Sequence, residues 1–320
     1  MSGDPIGVLV MAYGGPESLE EIPGYLADIR AGRPTPLEVL DEITANYRAI
    51  GGRSPLLEVT WRQVNALAAD LGAGFRCYLG MRHWSPWIEE VVGEMVEDGI
   101  ERAVGLVLAP QFSALSVARY QQKVADGLEL YRGRIDFEHV GSYHDASGLI
   151  EAFAARVADG LTRWPQTERD RVHVVFSAHS LPRRVLDAGD PYEEQCLETA
   201  RLVAERAGVA PERWSWAYQS AGRMPEPWAG PDLGEHLAAL AAAGVRDVVS
   251  VPVGFVSDHV EILFDIDVRA RGIANRLGIR LARPPALNDD PVFVSALAEL
   301  VRERASRWLG TSPARAPVQA

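Results

Sequence analysis

His179 closes the stretch VVFSAHS (174–180), an apolar run that ends in a polar turn. A neutral imidazole there can bind a metal or take a proton near neutral pH. It is either a reactive group set at a strand end or a loop histidine without a chemical role. GFVSDHVEILFDIDVRA (254–270) is the densest acidic stretch beside such an end. Asp258 or Ser257 can cap a helix starting there. Glu261, Asp265 and Arg269 then follow at i, i+4 and i+8, on one helical face. A histidine and a glutamate from adjacent strand ends make an acid–base pair or an open metal site. Taken alone, Glu261 is more simply an acidic first turn favoured by the helix dipole.

Other residue types in similar positions widen the set. Tyr13, in YGGP, either points its phenol into a cleft or lies half-buried over a tight turn; alone, the turn is the simpler reading. Arg30, Arg33, Arg48, Arg53 and Ser54 form a local donor cluster in IRAGRPTP and YRAIGGRSPL. Guanidinium groups suit carboxylates, although solvated surface arginines are the rival reading. The glycines and prolines of YQSAGRMPEPWAGPD (218–232) exclude a regular helix. Trp228 within it can wall an aromatic ligand or cover the core edge. Of the other histidines, His173 reads as structural within a strand and His236 as solvent-facing on a helix. His83, His139 and His144 have no evident partner.

These groups need elements to hold them. Seven apolar runs, at 6–13, 75–81, 103–109, 135–142, 172–178, 214–220 and 248–255, show little polar alternation. That pattern predicts strands buried on both faces of a parallel sheet. Helical spacing lies between them: Leu57, Trp61, Val64, Leu67, Ala68 and Leu71 share one face, and PWIEEVVGEMVEDGI (86–100) gives another helix. The alternation predicts α/β units. It occurs twice, which predicts two similar halves around a cleft, with ligands beyond the carboxyl ends of the strands. The residues after each strand are therefore the ones to watch. Neither G-x-G-x-x-G after the first strand nor G-x-x-x-x-G-K-[ST] anywhere occurs, so nothing supports a nucleotide site. The final GTSPARAPVQA (310–320) has the composition of a frayed tail.

The bulk numbers narrow the partners. A net charge of -12 disfavours nucleic acid and broad adhesion to anionic lipid. Two cysteines, Cys77 and Cys196, lack CxxC spacing and read as free thiols in a reducing cytoplasm. They cannot supply four thiolates for an iron–sulfur cluster. No leader or membrane-spanning run is visible.

Seven stretches in order, VLVMAYGGP, IRAGRPTP, YRAIGGRSPL, LAPQFSALSVARY, SAHSLP, YQSAGRMPEPWAGPD and PVGFVSDHVEILFDID, resemble the ferrochelatase family. The resemblance is strongest to the coproporphyrin branch of Gram-positive bacteria and covers roughly 6–308. It implies an α/β fold of two Rossmann-like halves with parallel sheets flanked by helices, of the class II chelatase type, and a porphyrin cleft between them. The halves are expected at 1–140 and 141–290, with a helix at 291–309 packing back on the first. The implied reaction is insertion of Fe²⁺, a substrate, into coproporphyrin III, giving coprohaem in haem synthesis. Protoporphyrin IX as substrate and a non-catalytic haem carrier are the alternatives.

By position, His179 and Glu261 correspond to the family's catalytic pair and metal ligands. Tyr13 corresponds to a tyrosine that can sit axially on the product iron. Arg30, Asn46, Tyr47, Ser54 and Tyr120 fall at propionate-holding positions; relatives often carry arginine where Asn46 stands. Asp265 is a second metal site in the same scheme. Relatives often continue that acidic face where this chain has Arg269, which either interrupts a metal conduit or pairs with Asp265. Some relatives bear an iron–sulfur cluster, for which this chain lacks the cysteines, and no nucleotide is expected; the expected protein is a cytoplasmic monomer handing coprohaem to a decarboxylase.

Overall fold

The computed structural model describes residues 4–222 and 225–309. Arg223 and Met224, within the glycine- and proline-rich stretch at 218–232, and the expected tail at 310–320 lie outside the described residues. The first half runs β1 (Ile6–Ala12), α1 (Ile22–Ile29), α2 (Leu37–Ala49), α3 (Leu56–Leu71), β2 (Phe75–Met81), α4 (Ile88–Glu97), β3 (Arg102–Val107), α5 (Val117–Leu130) and β4 (Asp136–Val140). Helix α6 (Ser147–Leu161) follows. The second half runs β5 (His173–His179), α7 (Arg183–Asp187), α8 (Tyr192–Arg206), β6 (Trp214–Ser220), α9 (Leu233–Ala242) and β7 (Asp247–Val251). It ends with α10 (Val260–Leu263), a π-helical segment (Asp265–Ala270), α11 (Arg271–Arg276) and β8 (Arg280–Ala282); α12 (Pro291–Leu309) closes the fold.

The two four-stranded sheets have the orders β2-β1-β3-β4 and β6-β5-β7-β8, and every pairing is parallel. The same winding therefore occurs twice, as the repeated pattern predicted. All seven residues of β1 and all five of β7 are buried, which explains the unbroken apolar run of β1 and the absence of polar alternation in β7. Four strands stop earlier than their apolar runs: β1 at Ala12, β3 at Val107, β4 at Val140 and β7 at Val251. After β7 the next residue, Pro252, brings no N–H to a ladder. β8 has three residues and carries too little pattern to announce itself.

The largest core joins both halves: Val104 and Leu106 of β3 share it with Phe176 of β5 and with Phe293, Leu297 and Val301 of α12. Helix α12 packs on α3, α6, β3 and β4. In α3 the buried face differs from the expected stripe. Trp61 is 44% exposed, whereas Thr60 and Gln63 are buried. They are tolerated because each has partners: Thr60 donates to the Leu56 carbonyl, and Gln63 bonds Ser257 and Asn288.

Candidate active site

In each sheet the strand order reverses beside the first strand, at β1/β3 and at β5/β7. Crevices beyond the carboxyl ends of strands open at such points. Here the segments after these four strands face one cavity of about 310 Å³. Tyr13 follows β1, Tyr120 begins beyond the loop after β3, His179 ends β5, and Glu261 follows β7. Gly14, at φ 91°, makes the turn that Tyr13 needs; a Cβ there would sit 2.9 Å from the Trp84 nitrogen.

Six of the expected porphyrin- and metal-binding residues meet in this cleft, Tyr13, Tyr47, Ser54, Tyr120, His179 and Glu261, and Trp228 lines it with them. Arg30, Asn46 and Asp265 do not line it. Arg30 ends α1 with its Nε buried and unbonded, and Asn46 is half-buried on α2. Asp265 lies behind the wall, accepting a hydrogen bond from Ser220 and pairing with Arg269 at 3.5 Å. Pairing, rather than a free cation, is thus the fate of Arg269, whose Nη2 also donates to the Gln219 carbonyl at 2.5 Å.

His179 Nδ1 lies 2.5 Å from the Ser180 carbonyl. A carbonyl only accepts, so Nδ1 carries the proton and the Nε2 lone pair is left for other work. The Trp228 ring stands edge-on at 6.1 Å and Trp228 also lines the cavity. Near Glu261 lies His259, with Nε2 3.7 Å from Oε2. Burial opposes charge on Glu261, but the His179 and His259 imidazoles overcome it and hold the carboxyl well below its ordinary range. Burial similarly opposes charge on His259, and the Glu261 carboxylate raises it nevertheless. Asp265 goes the other way: burial raises it to about 6, against the pull of Arg269. Tyr13 presents 38% of its surface, yet protein surrounds the phenol, and this desolvation, with the Glu261 charge, pushes it up to about 12.

Two features of the site were not read from sequence. Arg82 lines the cavity with its guanidinium 5.8 Å from the Tyr13 ring and 5.5 Å from the Tyr120 ring, tethered by Nη1 to the Leu115 carbonyl at 3.1 Å. It is a cation within the cleft itself. His83, left without a partner in the sequence, bonds Asp28 at 2.7 Å, and its ring lies 4.6 Å from that of Tyr13.

Three local expectations change. His236 is not solvent-facing: Ser215 reaches it from β6 at 2.7 Å and reaches His173 at 2.8 Å. Neither Asp258 nor Ser257 caps α10, because Asp258 is held by Arg283 and Asn288 and Ser257 by Gln63; His259 occupies the N-cap position. Glu261, Asp265 and Arg269 do not ride one regular helix, since the π-helical segment begins at Asp265 and resets the spacing.

Paired parallel sheets with a cleft at both crossover points define the two-half, Rossmann-like chelatase fold. SirB from Bacillus subtilis, solved with Fe³⁺, shares it with a TM-score of 0.58 over 96% of this chain and 98% of that one, at 13% identity. The family model for ferrochelatase matches residues 5–305, and the chain belongs to the ferrochelatase family. It is 58% identical over 305 residues to a ferrochelatase of Deinococcus radiodurans, covering 94% of this chain and 96% of that protein. It is 38% identical over 310 residues to a coproporphyrin III ferrochelatase of Geobacillus sp., covering 95% and 99%. Its activity is insertion of ferrous iron into a porphyrin, with iron as substrate. Among the described residues, no helix is long and apolar enough to cross a membrane.

Proposed function

We propose that the porphyrin is coproporphyrin III and the product coprohaem, made in the cytoplasm as an intermediate of haem synthesis. The observation that carries this reading is Tyr13, which enters the cleft from the half opposite His179 and Glu261. Arg82 beside it adds a cation that suits a substrate with four propionates. Several relatives near 38% identity are coproporphyrin III ferrochelatases.

Insertion needs the ring bent, two N–H protons removed and Fe²⁺ stripped of water. The stiff walls around Trp228 favour a bent ring over a flat one. His179 Nε2, bare because Nδ1 is committed to Ser180, accepts a pyrrole proton or binds the incoming iron. Glu261, charged within the wall, stabilises the imidazolium that results or shares the metal. Tyr13 would be the residue that ligates the iron of the product. Tyr47, Ser54 and Tyr120 seat the propionates, and Asp265 is a second iron station behind Glu261. The coprohaem then passes to a decarboxylating enzyme.

The test is anaerobic. Protein, Fe²⁺ and either coproporphyrin III or protoporphyrin IX are mixed, and loss of free-base porphyrin fluorescence is followed. Faster turnover of coproporphyrin III is expected. Preference for protoporphyrin IX would overturn the substrate assignment, and tight binding without turnover of either would favour a carrier.

A further inference from the structure

Arg283 sits just after β8 with its side chain 8% exposed. Its guanidinium reaches two carboxylates that flank the acidic wall of the cleft. Nη1 donates to Asp258 Oδ1 at 2.9 Å; Nε and Nη2 donate to Asp267 Oδ1 and Oδ2 at 2.9 and 2.6 Å. Asp258 stands three residues before Glu261, and Asp267 two after Asp265. One planar fork therefore grips both ends of the segment that presents Glu261 and Asp265.

The grip is reinforced from two sides. Asn288 donates from Nδ2 to Asp258 Oδ2 at 2.9 Å and accepts from the Asp258 backbone nitrogen at 2.9 Å. From α3 in the other half, Gln63 Nε2 donates to the Asn288 carbonyl at 2.9 Å, and Ser257 donates to Gln63 Oε1 at 3.1 Å. The gripped segment is not a regular helix; it changes from α to π at Asp265. A π turn is an uncommon geometry found mostly as single turns, often at functional sites. A buried ion pair is weak evidence for stability, since apolar groups of similar volume often serve as well. Its planar, two-armed geometry is what an apolar group cannot supply.

We propose that Arg283 is a positioning residue for metal insertion, fixing the spacing of Glu261 and Asp265 through Asp258 and Asp267. The proposal rests on the ferrochelatase site read above. An ammonium is a point charge and cannot span both carboxylates in this geometry. Arg283→Lys is the first variant, and Asp267→Asn, which keeps the arm to Asp258, is the second.

Each variant is compared with the wild type for iron insertion, for porphyrin binding by fluorescence and for backbone amide exchange without metal. The expected result is kcat lowered about 10-fold or more, as for other outer partners of metal sites, a raised KM for Fe²⁺, and porphyrin affinity within about 2-fold. Amides of 258–270 exchange about 10-fold faster or more, while those of β5 and β6 are unchanged. Wild-type kinetics and unaltered exchange in both variants would overturn the proposal. So would an activity loss that merely follows weaker porphyrin binding or uniformly faster exchange. If the wild type itself inserts no iron, the reading of the site fails, and the local exchange result still decides whether Arg283 holds the segment.

Discussion

His259 and Glu261 face each other within one short turn: Nε2 of the histidine lies 3.7 Å from Oε2 of the glutamate. His259 Nδ1 also meets the Ser257 carbonyl at 2.8 Å, so Nδ1 must carry a proton. Nε2 then faces a carboxylate either bare or protonated, and the neighbouring negative charge favours protonation.

Replacing His259 by Gln removes that imidazole and leaves His179 alone to oppose the burial that raises the Glu261 carboxyl. The expected outcome is kcat lowered about 10- to 100-fold, with the acid limb of the pH–rate profile moved to higher pH. Steady-state rates between pH 5 and 8 check it; an unmoved limb would mean that His259 does not set the charge on Glu261.

His179→Ala should fold and bind porphyrin, because the His179 side chain contributes one bond, to its neighbour's carbonyl. Loss of a general base or metal ligand predicts metal insertion about 10²- to 10⁴-fold slower. Near-normal turnover would remove His179 from the chemistry.

Asp265 binds a proton more tightly folded, at about 6, than unfolded, at 3.8. For a carboxyl raised on folding, the folded chain holds more protons between these values, so stability falls as pH rises through them. The cost at neutral pH is no more than about 3 kcal/mol. Asp265→Asn should therefore gain melting temperature relative to the wild type on going from pH 4.5 to 7.5. A difference that is flat in pH would contradict this.

At the amino end of the second sheet, His173, Ser215 and His236 form a hydrogen-bonded row. Burial, with the nearby His236 and Arg213, lowers His173 to about 4 from 6.5. A histidine lowered on folding gives stability that is complete above the unfolded value and is lost as pH falls through 6.5 towards 4. His173→Gln should thus melt progressively closer to, or above, the wild type as pH drops from 7 to 4.5. Parallel melting curves across that range would show that the row is not the acid-sensitive point.

The fold was legible because its strands are greasy on both faces: Val8, Leu9, Val10 and Met11 are all buried, and no alternation competes with that signal. Tyr13, His179 and Glu261 were legible for a related reason, since strand ends in such sheets point at ligands, whereas Tyr47 and Tyr120, on helices, were reached only through the family resemblance. The π-helical segment was not, because Glu261, Asp265 and Arg269 are spaced as a regular helix would space them. His236 was misplaced because the Leu233, Leu237 and Leu240 stripe marks the buried side of α9, and only the tertiary contact with Ser215 draws His236 in as well. Arg82 was missed because MRHWSPW offers several chemically capable residues, and nothing local says which one the aromatic rings of Tyr13 and Tyr120 will flank.

Helix α12 has a consequence for the order of assembly. It covers β3 and β4, yet about 150 residues of chain must be made after β4 before α12 begins, and domains otherwise tend to fold in the order of synthesis. Until then Val104, Leu106 and Val140 lack the Phe293, Leu297 and Val301 side chains that complete their core. A nascent first half is thus an apolar sheet waiting for its cover. The same helix seals the second half through α6. A chain released before α12 was made would therefore expose this sticky surface, although every residue lining the cleft, up to Glu261, would already be present.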